Sequence, residues 1–407
     1  MGDRLDAGHA DRVIDAEGLI VAPGLIDPHV HLREPGHAER ETIETGTSAA
    51  VAGGFTSVVC MPNTEPALDA PERVEWVRAR AASAGRCRVF CAGAATVGRR
   101  GERVAEVGLM ARAGAVAFTD DGDAVADAGV MRAVLVAVKP TGRVFMQHAQ
   151  EPSLTRGASM HAGPVATRLG LVGWPAVAEE VVVERDLRLN RAVGCRYHVQ
   201  HVSSAGTVEI LRAARRDPAV AALVTGEASP HHLTLTDEAC DGFNTMAKVN
   251  PPLRSASDVR RLRQGVADGV ITVLGTDHAP HTADAKATDF AAAAWGMTGL
   301  ETALPLYAEA LVASGAVSWP RLIELLTLGP ARLCGLDRAG LGSISTGGPA
   351  DLTLIDPDAE WEFRAAESAS KARNSPFDGR RLTGRAVGTI VSGEVRHDRL
   401  EPERAAV

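Results

Sequence analysis

The chain has 407 residues, 45% of them hydrophobic and 23% charged, a composition that suits a soluble globular protein with a sizeable core and excludes a disordered or fibrous one. A net charge of −8 lacks the electrostatic footprint of a nucleic-acid binder. No apolar run reaches the length of a signal peptide or a bilayer span, and the six scattered cysteines form no Cys-x-x-Cys pair, so a reduced, cytoplasmic protein with no membrane partner is expected.

The opening segment Val13 to Pro23 reads as strand and turn. Short apolar, often β-branched runs then recur at roughly 24–31, 55–61, 88–95, 114–119, 143–148, 195–202, 220–227 and 269–276, each followed by a stretch of helical character. Eight βα units predict a (β/α)8 barrel of the TIM type within the α/β class, since no Gly-x-Gly-x-x-Gly follows the first strand. Segment 282–294, after the last barrel strand, reads as a loop able to move over the site. Beyond about residue 340 short strands and turns return. The expected organisation is a barrel over 23–338 and a small β domain built from the chain ends, 1–22 and 339–407.

His29 and His31 stand two apart at the end of the first predicted strand, where alternate side chains share a face and both imidazoles can reach one metal. A lone His-x-His is common and uninformative. Asp120-Asp121, His148, His201 and Asp277, however, end strands four, five, six and eight, and in a barrel these ends converge on one rim. Four imidazoles and two carboxylates suit zinc, and they exceed what one tetrahedral ion needs, so two Zn2+ per chain are expected. A bridging acidic donor must hold them together. None of the four lysines, Lys139, Lys248, Lys286 and Lys371, sits at a strand end suited to that task, which leaves Asp121 as the bridge. Asp277 is the expected catalytic residue, exchanging protons between the attacking water and a leaving amide nitrogen.

The motifs Asp27–Gly36 (DPHVHLREPG), Met61–Thr64 (MPNT), Ala117–Gly122 (AFTDDG), Tyr197–Ser203 (YHVQHVS), Asn250–Arg254 (NPPLR) and Gly275–His281 (GTDHAPH) together resemble bacterial type I dihydroorotases of the amidohydrolase superfamily, from about residue 13 to 395. The resemblance implies reversible hydrolysis of the cyclic amide of (S)-dihydroorotate to N-carbamoyl-L-aspartate, a step of pyrimidine synthesis. It implies one zinc on His29, His31 and Asp277, a second on His148 and His201, and Asp121 bridging both, with Asp120 a neighbour. For the substrate it implies Arg33, Asn63 and His281 on the exocyclic carboxylate, and Asn250 with the Trp295-Gly296 backbone on the ring. The guanidinium of Arg33 suits bidentate pairing with that carboxylate; the bland alternative is a surface ion pair with Glu34. Allantoinases and dihydropyrimidinases are similar at His-x-His, but a carboxylated lysine is their expected bridge and their substrates lack this carboxylate. The resemblance also leaves open a homodimer, a complex with aspartate transcarbamoylase, and a catalytically silent subunit supporting that enzyme. His231, His232, His161 and His278 read as structural or supporting, the first two as adjacent strand residues facing opposite ways. Family members usually begin some 30 residues earlier, so the N-terminal part of the small domain is expected to be shortened. Gln147-His148-Ala149-Gln150-Glu151 departs from the family's usual pattern while keeping the histidine.

Overall fold

The structure is a computed structural model and describes residues 13–400. Of the expected small domain, residues 1–12 and 401–407 therefore lie outside the described residues. Among those described, no helix is long and apolar enough to cross a membrane.

Fourteen strands are described. β1 (Ile20–Pro23) precedes the first barrel strand, β2 (Leu25–Val30). The barrel continues through β3 (Phe55–Cys60), β4 (Arg88–Ala94), β5 (Ala115–Thr119) and β6 (Val144–Gln147). A two-stranded excursion, β7 (Met160–His161) and β8 (Gly173–Trp174), interrupts it before β9 (Arg196–Val199), β10 (Val224–Ala228) and β11 (Val273–Leu274). The eight barrel strands pair in parallel in the order β11-β10-β9-β6-β5-β4-β3-β2, as the eight apolar runs predict. Two starts differ: residues 220–223 form a turn rather than strand, because the Asp217 carbonyl accepts the amides of Val220 and Ala221 and winds the chain after Pro218, and the run expected at 269–276 is strand only over Val273–Leu274, because the Gly265 carbonyl holds the amides of Val270 and Ile271.

The first and last barrel strands meet through a bridge between Val30 and His278 and a His31 amide donated to the His278 carbonyl at 2.9 Å. The Asp27 carboxylate completes the seam by accepting from the amide and hydroxyl of Thr276. Along each strand, alternate residues serve two cores. Leu25, Phe55, Val58 and Phe118 pack outward under the helices, while Ile26, Val59, Ala92, Val144, Met146 and Val273 fill the barrel interior. The helix Leu328–Cys334 joins the interior cluster through Ala331 and Leu333, and its backbone carbonyls at Arg332 and Leu333 are held by Arg196 at the start of β9. That helix packs across the N-terminal end, and the residues that follow the strands stand at the opposite, C-terminal rim.

A separate antiparallel sheet outside the barrel joins β1 to β12 (Leu352–Glu362), β13 (Arg381–Val391) and β14 (Glu394–Asp398), uniting the two ends of the chain. The ion pair of Arg88 with Asp351 and the Thr353 hydroxyl donated to the Gly54 carbonyl fasten it to the barrel.

Segment 282–294 is pinned by two buried lysines. The Lys286 ammonium donates to the carbonyls of Thr245, Lys248 and Ala294 at 2.8–3.1 Å, and Lys248 donates to those of Phe290 and Ala291 while lying 4.4 Å above the Trp295 ring. A Lys286→Met substitution leaves three carbonyls without their donor. It is expected to cost about 1–3 kcal/mol in denaturant unfolding and to open residues 282–294 to limited proteolysis. Unchanged resistance to cleavage would show that the loop holds its shape without this ammonium.

Candidate active site

The residues singled out at the strand ends do converge. His29 is the penultimate residue of β2 and His31 lies one beyond it; Asp121, His148, His201 and Asp277 follow β5, β6, β9 and β11. All six are at most 5% exposed. Asp121 stands at the centre: its Oδ1 lies 3.4 Å from His29 Nε2, from His148 Nδ1 and from His201 Nε2, and its Oδ2 3.5 Å from His31 Nε2. On the other side, Asp277 Oδ1 lies 3.1 Å from His31 Nε2 and 3.6 Å from His29 Nε2.

Two sets of three donors are compact enough for one ion each: His29, His31 and Asp277, and His29, Asp121 and His201. His148 adjoins the second, its Nδ1 2.8 Å from His201 Nε2. His29 Nε2 and Asp121 Oδ1 are buried with no hydrogen-bond partner, an arrangement that is costly unless a cation lies between them. Imidazole and carboxylate donors suit zinc or a similar divalent ion, so these residues fit a metal centre. No lysine joins them; His29 belongs to both sets, and Asp121, a member of the second, also reaches His31 of the first with its Oδ2 at 3.5 Å.

The charges agree with this arrangement. Burial works against ionisation of Asp121, but the His29 charge and the close approach of the His148, His201 and His29 rings hold its carboxyl well below the usual range. Burial likewise opposes the Asp277 carboxylate, yet its bond to His31 and the charge of His29 bring it down to about 2. Backbone geometry carries strain here as well. Arg33, His201 and Asp277 have φ of 65°, 30° and 49°, left-handed values that a side chain adopts at a cost of about 1–3 kcal/mol and that cluster at functional sites.

A cavity of about 400 Å³ opens beside the donors, and each of the six expected substrate residues lines it: Arg33, Asn63, Asn250, His281, Trp295 and Gly296. Arg33 is 6% exposed and makes no ion pair among the described residues. Its Nε donates to the Pro280 carbonyl and its Nη2 lies 3.4 Å from His281 Nε2. Glu34, the alternative partner, instead pairs with Arg80 and accepts the Ile43 amide. Burial, reinforced by Arg40, draws the Arg33 guanidinium down to about 10. Asn63 uses its Oδ1 to hold His31 Nδ1 at 2.9 Å. Asn250 Oδ1 is buried without a partner, while its amide nitrogen donates to Gln150, which also meets His148 Nε2 at 3.1 Å.

The remaining candidates separate cleanly. Asp120 turns away, its carboxylate accepting the Ala95 and Thr96 amides and the Thr96 hydroxyl. His278 is structural, held between Glu41 and the Gly299 amide, and His161 meets Arg254. His231 and His232 are both buried, but they lie on the short helix Pro230–Thr234 rather than a strand, with proline in its first turn where the missing N–H costs nothing.

Sequence reasoning missed Glu227. This fully buried carboxylate on β10 accepts from His29 Nδ1 at 2.9 Å and from the His201 backbone amide at 3.2 Å, so one group orients donors of both sets. It ends the seventh predicted strand, and the same strand-end rule applied there would have found it. Such a carboxylate fixes the imidazole tautomer, leaving Nε2 free for a metal. Arg40, Arg99 and His37, also unforeseen, line the outer part of the cavity.

A closed (β/α)8 barrel with four histidines and two aspartates on its C-terminal rim defines a protein of the amidohydrolase superfamily. A solved structure of that class, the L-hydantoinase (dihydropyrimidinase) from Arthrobacter aurescens, superposes with a TM-score of 0.86 at 28% identity, over 96% of this chain and 88% of that one. A family model described as "Dihydro-orotase-like" matches residues 18–207. The dihydroorotase of Pelotomaculum thermopropionicum is 49% identical over 94% of this chain and 88% of its own length, and that of Leifsonia xyli 48% over 96% and 89%. The chain belongs to the dihydroorotase family.

Proposed function

We propose that the protein is a zinc-dependent dihydroorotase that interconverts (S)-dihydroorotate and N-carbamoyl-L-aspartate in pyrimidine biosynthesis. The observation that carries this reading is Arg33: a buried arginine with no carboxylate partner among the described residues faces the cavity lined by five of the six metal-type donors, His31, Asp121, His148, His201 and Asp277. A ring amide bearing an exocyclic carboxylate satisfies both ends of that cavity at once.

His29, His31 and Asp277 would hold one zinc ion, His148 and His201 a second, with Asp121 shared. Bound there, the metal supplies a Lewis acid for the amide carbonyl and lowers the pKa of water toward about 7. The chain's own groups do the rest. Arg33, Asn63 and His281 orient the substrate carboxylate, and the Trp295-Gly296 backbone with Asn250 aligns the ring, converting binding into the correct approach geometry. Asp277, held as a carboxylate, takes the proton from the attacking water and returns it to the leaving nitrogen; the reverse sequence closes the ring.

The test joins metal analysis to a dihydroorotate hydrolysis assay. Zinc near two per chain is expected, with turnover lost on chelation and regained on adding zinc. Full activity in a thoroughly metal-free preparation would overturn the proposal.

A further inference from the structure

The barrel interior is largely apolar, but polar groups cross it: Gln200, bonded to Thr119, reaches His29 Nδ1 at 3.3 Å, and a second line runs along β9 and β10. Thr225 and Glu227 on β10 are two residues apart and share the inward face, and the register sets Thr225 directly beside His198 of β9, which points inward too. The Thr225 hydroxyl lies 2.7 Å from His198 Nδ1, and His198 Nε2 lies 3.5 Å from Glu227 Oε2. Glu227 Oε1 meets His29 Nδ1. His198 and Glu227 are wholly buried. Thr225 itself borders a second cavity, of about 500 Å³, that also touches the starts of β9 and β11. The line therefore runs through the barrel from its floor to the metal-type donors.

The proton directions follow from the groups. A carboxylate only accepts, so both His29 Nδ1 and His198 Nε2 donate to Glu227. His198 Nδ1 is then bare and accepts the Thr225 hydroxyl. Each donor points toward the next group on the way to Glu227, and no member is left unsatisfied. Gly275 guards the same carboxylate from the other side: a Cβ there would stand 2.7 Å from Glu227 Oε2.

We infer that His198 and Thr225 are positioning residues forming a polar strut that locks the Glu227 carboxylate, and through it the His29 ring, in the orientation that holds metal. The inference rests on the metal reading above. A network buried this deep in an apolar layer stabilises only when every member is paired, so its retention inside the barrel fits a task at the rim.

The strut is tested on zinc-loaded protein by the rate of zinc release to a chromophoric chelator, and on cobalt-substituted protein by its visible spectrum. His198→Phe keeps a flat ring but loses both nitrogens, and release about 10-fold faster is expected, the lower end of the effect of removing an outer partner of a metal ligand. Its cobalt bands should shift. His198→Gln restores a donor toward Glu227 and should return release close to the wild-type rate, a rescue that a purely space-filling role would not give. Thr225→Val and Gly275→Ala provide two further routes if His198→Phe fails to fold, and faster release in both supports the strut. Wild-type release rates and cobalt spectra in Thr225→Val and in any folded His198→Phe overturn it, even if Gly275→Ala releases faster, for Glu227 would then stand without help. A wild-type chain that takes up no zinc overturns the metal reading itself, an outcome distinct from a zinc-loaded wild type with unaffected variants.

Discussion

Asp121→Ala is expected to lower dihydroorotate turnover by about 10⁴-fold or more, the scale of losing an activated nucleophile outright, and to reduce bound zinc well below two per chain. The size of the effect follows from where the carboxylate stands. Its two oxygens lie 3.4–3.5 Å from nitrogens of four histidines, and no other carboxylate reaches both donor sets so evenly. Removing it leaves Asp277 as the one carboxylate among the six donors and the second ion with neutral imidazoles alone. Asp121→Asn preserves the shape and loses the charge, so it separates the two contributions: zinc content between wild type and Asp121→Ala, with turnover near the alanine variant, is the expected pattern. Inductively coupled plasma analysis of both variants, paired with the hydrolysis assay, reads this directly, and wild-type zinc content with wild-type turnover in Asp121→Ala would remove the bridge from the mechanism. The metal-free protein offers a second reading. Asp277 falls from 3.8 to about 2 in the fold, and Asp121 and Glu227 also lie below their usual values. Depressed carboxyls contribute stability above their unfolded pKa and lose it as pH falls through the folded value. Acid unfolding of the metal-free wild type should therefore set in below about pH 4, and Asp121→Ala should show a shallower dependence there.

Most of this site could be read before any coordinates because parallel barrel strands announce themselves. Buried on both faces, they appear as apolar runs, and the residue that ends each run must stand on one rim. His29, His31, Asp121, His148, His201 and Asp277 were legible on that rule. What escaped was whatever depends on strands meeting across the barrel. Glu227 supports His29 from 198 residues away, and the reading of strand ends collected donors without asking what orients them. His198 lay inside a quoted motif, yet only the pairing of β9 with β10 shows that it faces Thr225 rather than the helices. The start of β10 was misjudged for a local reason, the turn wound by the Asp217 carbonyl, and the His231-His232 pair because Pro230 signals a helix start that the apolar pattern obscures. The two buried lysines stand out in the sequence only for being absent from the strand ends; their role as pins of segment 282–294 depends on carbonyls from two separate stretches of chain, 245–248 and 290–294.

Arg33→Met is expected to cut kcat/KM for dihydroorotate by about 10²–10³-fold, the equivalent of about 3–4 kcal/mol for one buried, hydrogen-bonded charge pair. Zinc content should stay near wild type. The guanidinium is held in place before substrate arrives, by the Pro280 carbonyl and the left-handed backbone at residue 33, so little ordering is needed on binding. Its charge is buried beside Arg40 with no ion pair among the described residues, and burial is the main cause that draws its pKa down to about 10. A substrate carboxylate relieves that cost, which is why the interaction is worth more than an exposed ion pair. Methionine fills similar space without the charge, so the unliganded variant should unfold at the same temperature as wild type or higher, while affinity falls. The loss should be specific: a cyclic imide lacking the exocyclic carboxylate should lose little or gain when Arg33 is replaced, narrowing the preference for dihydroorotate from the substrate side. Comparing the two substrates on both proteins isolates the carboxylate contact from general damage to the site. Equal losses on both would mean that Arg33 supports the rim rather than reads the ligand, and the choice of dihydroorotate over an uncharged ring would then have to come from elsewhere in the cavity.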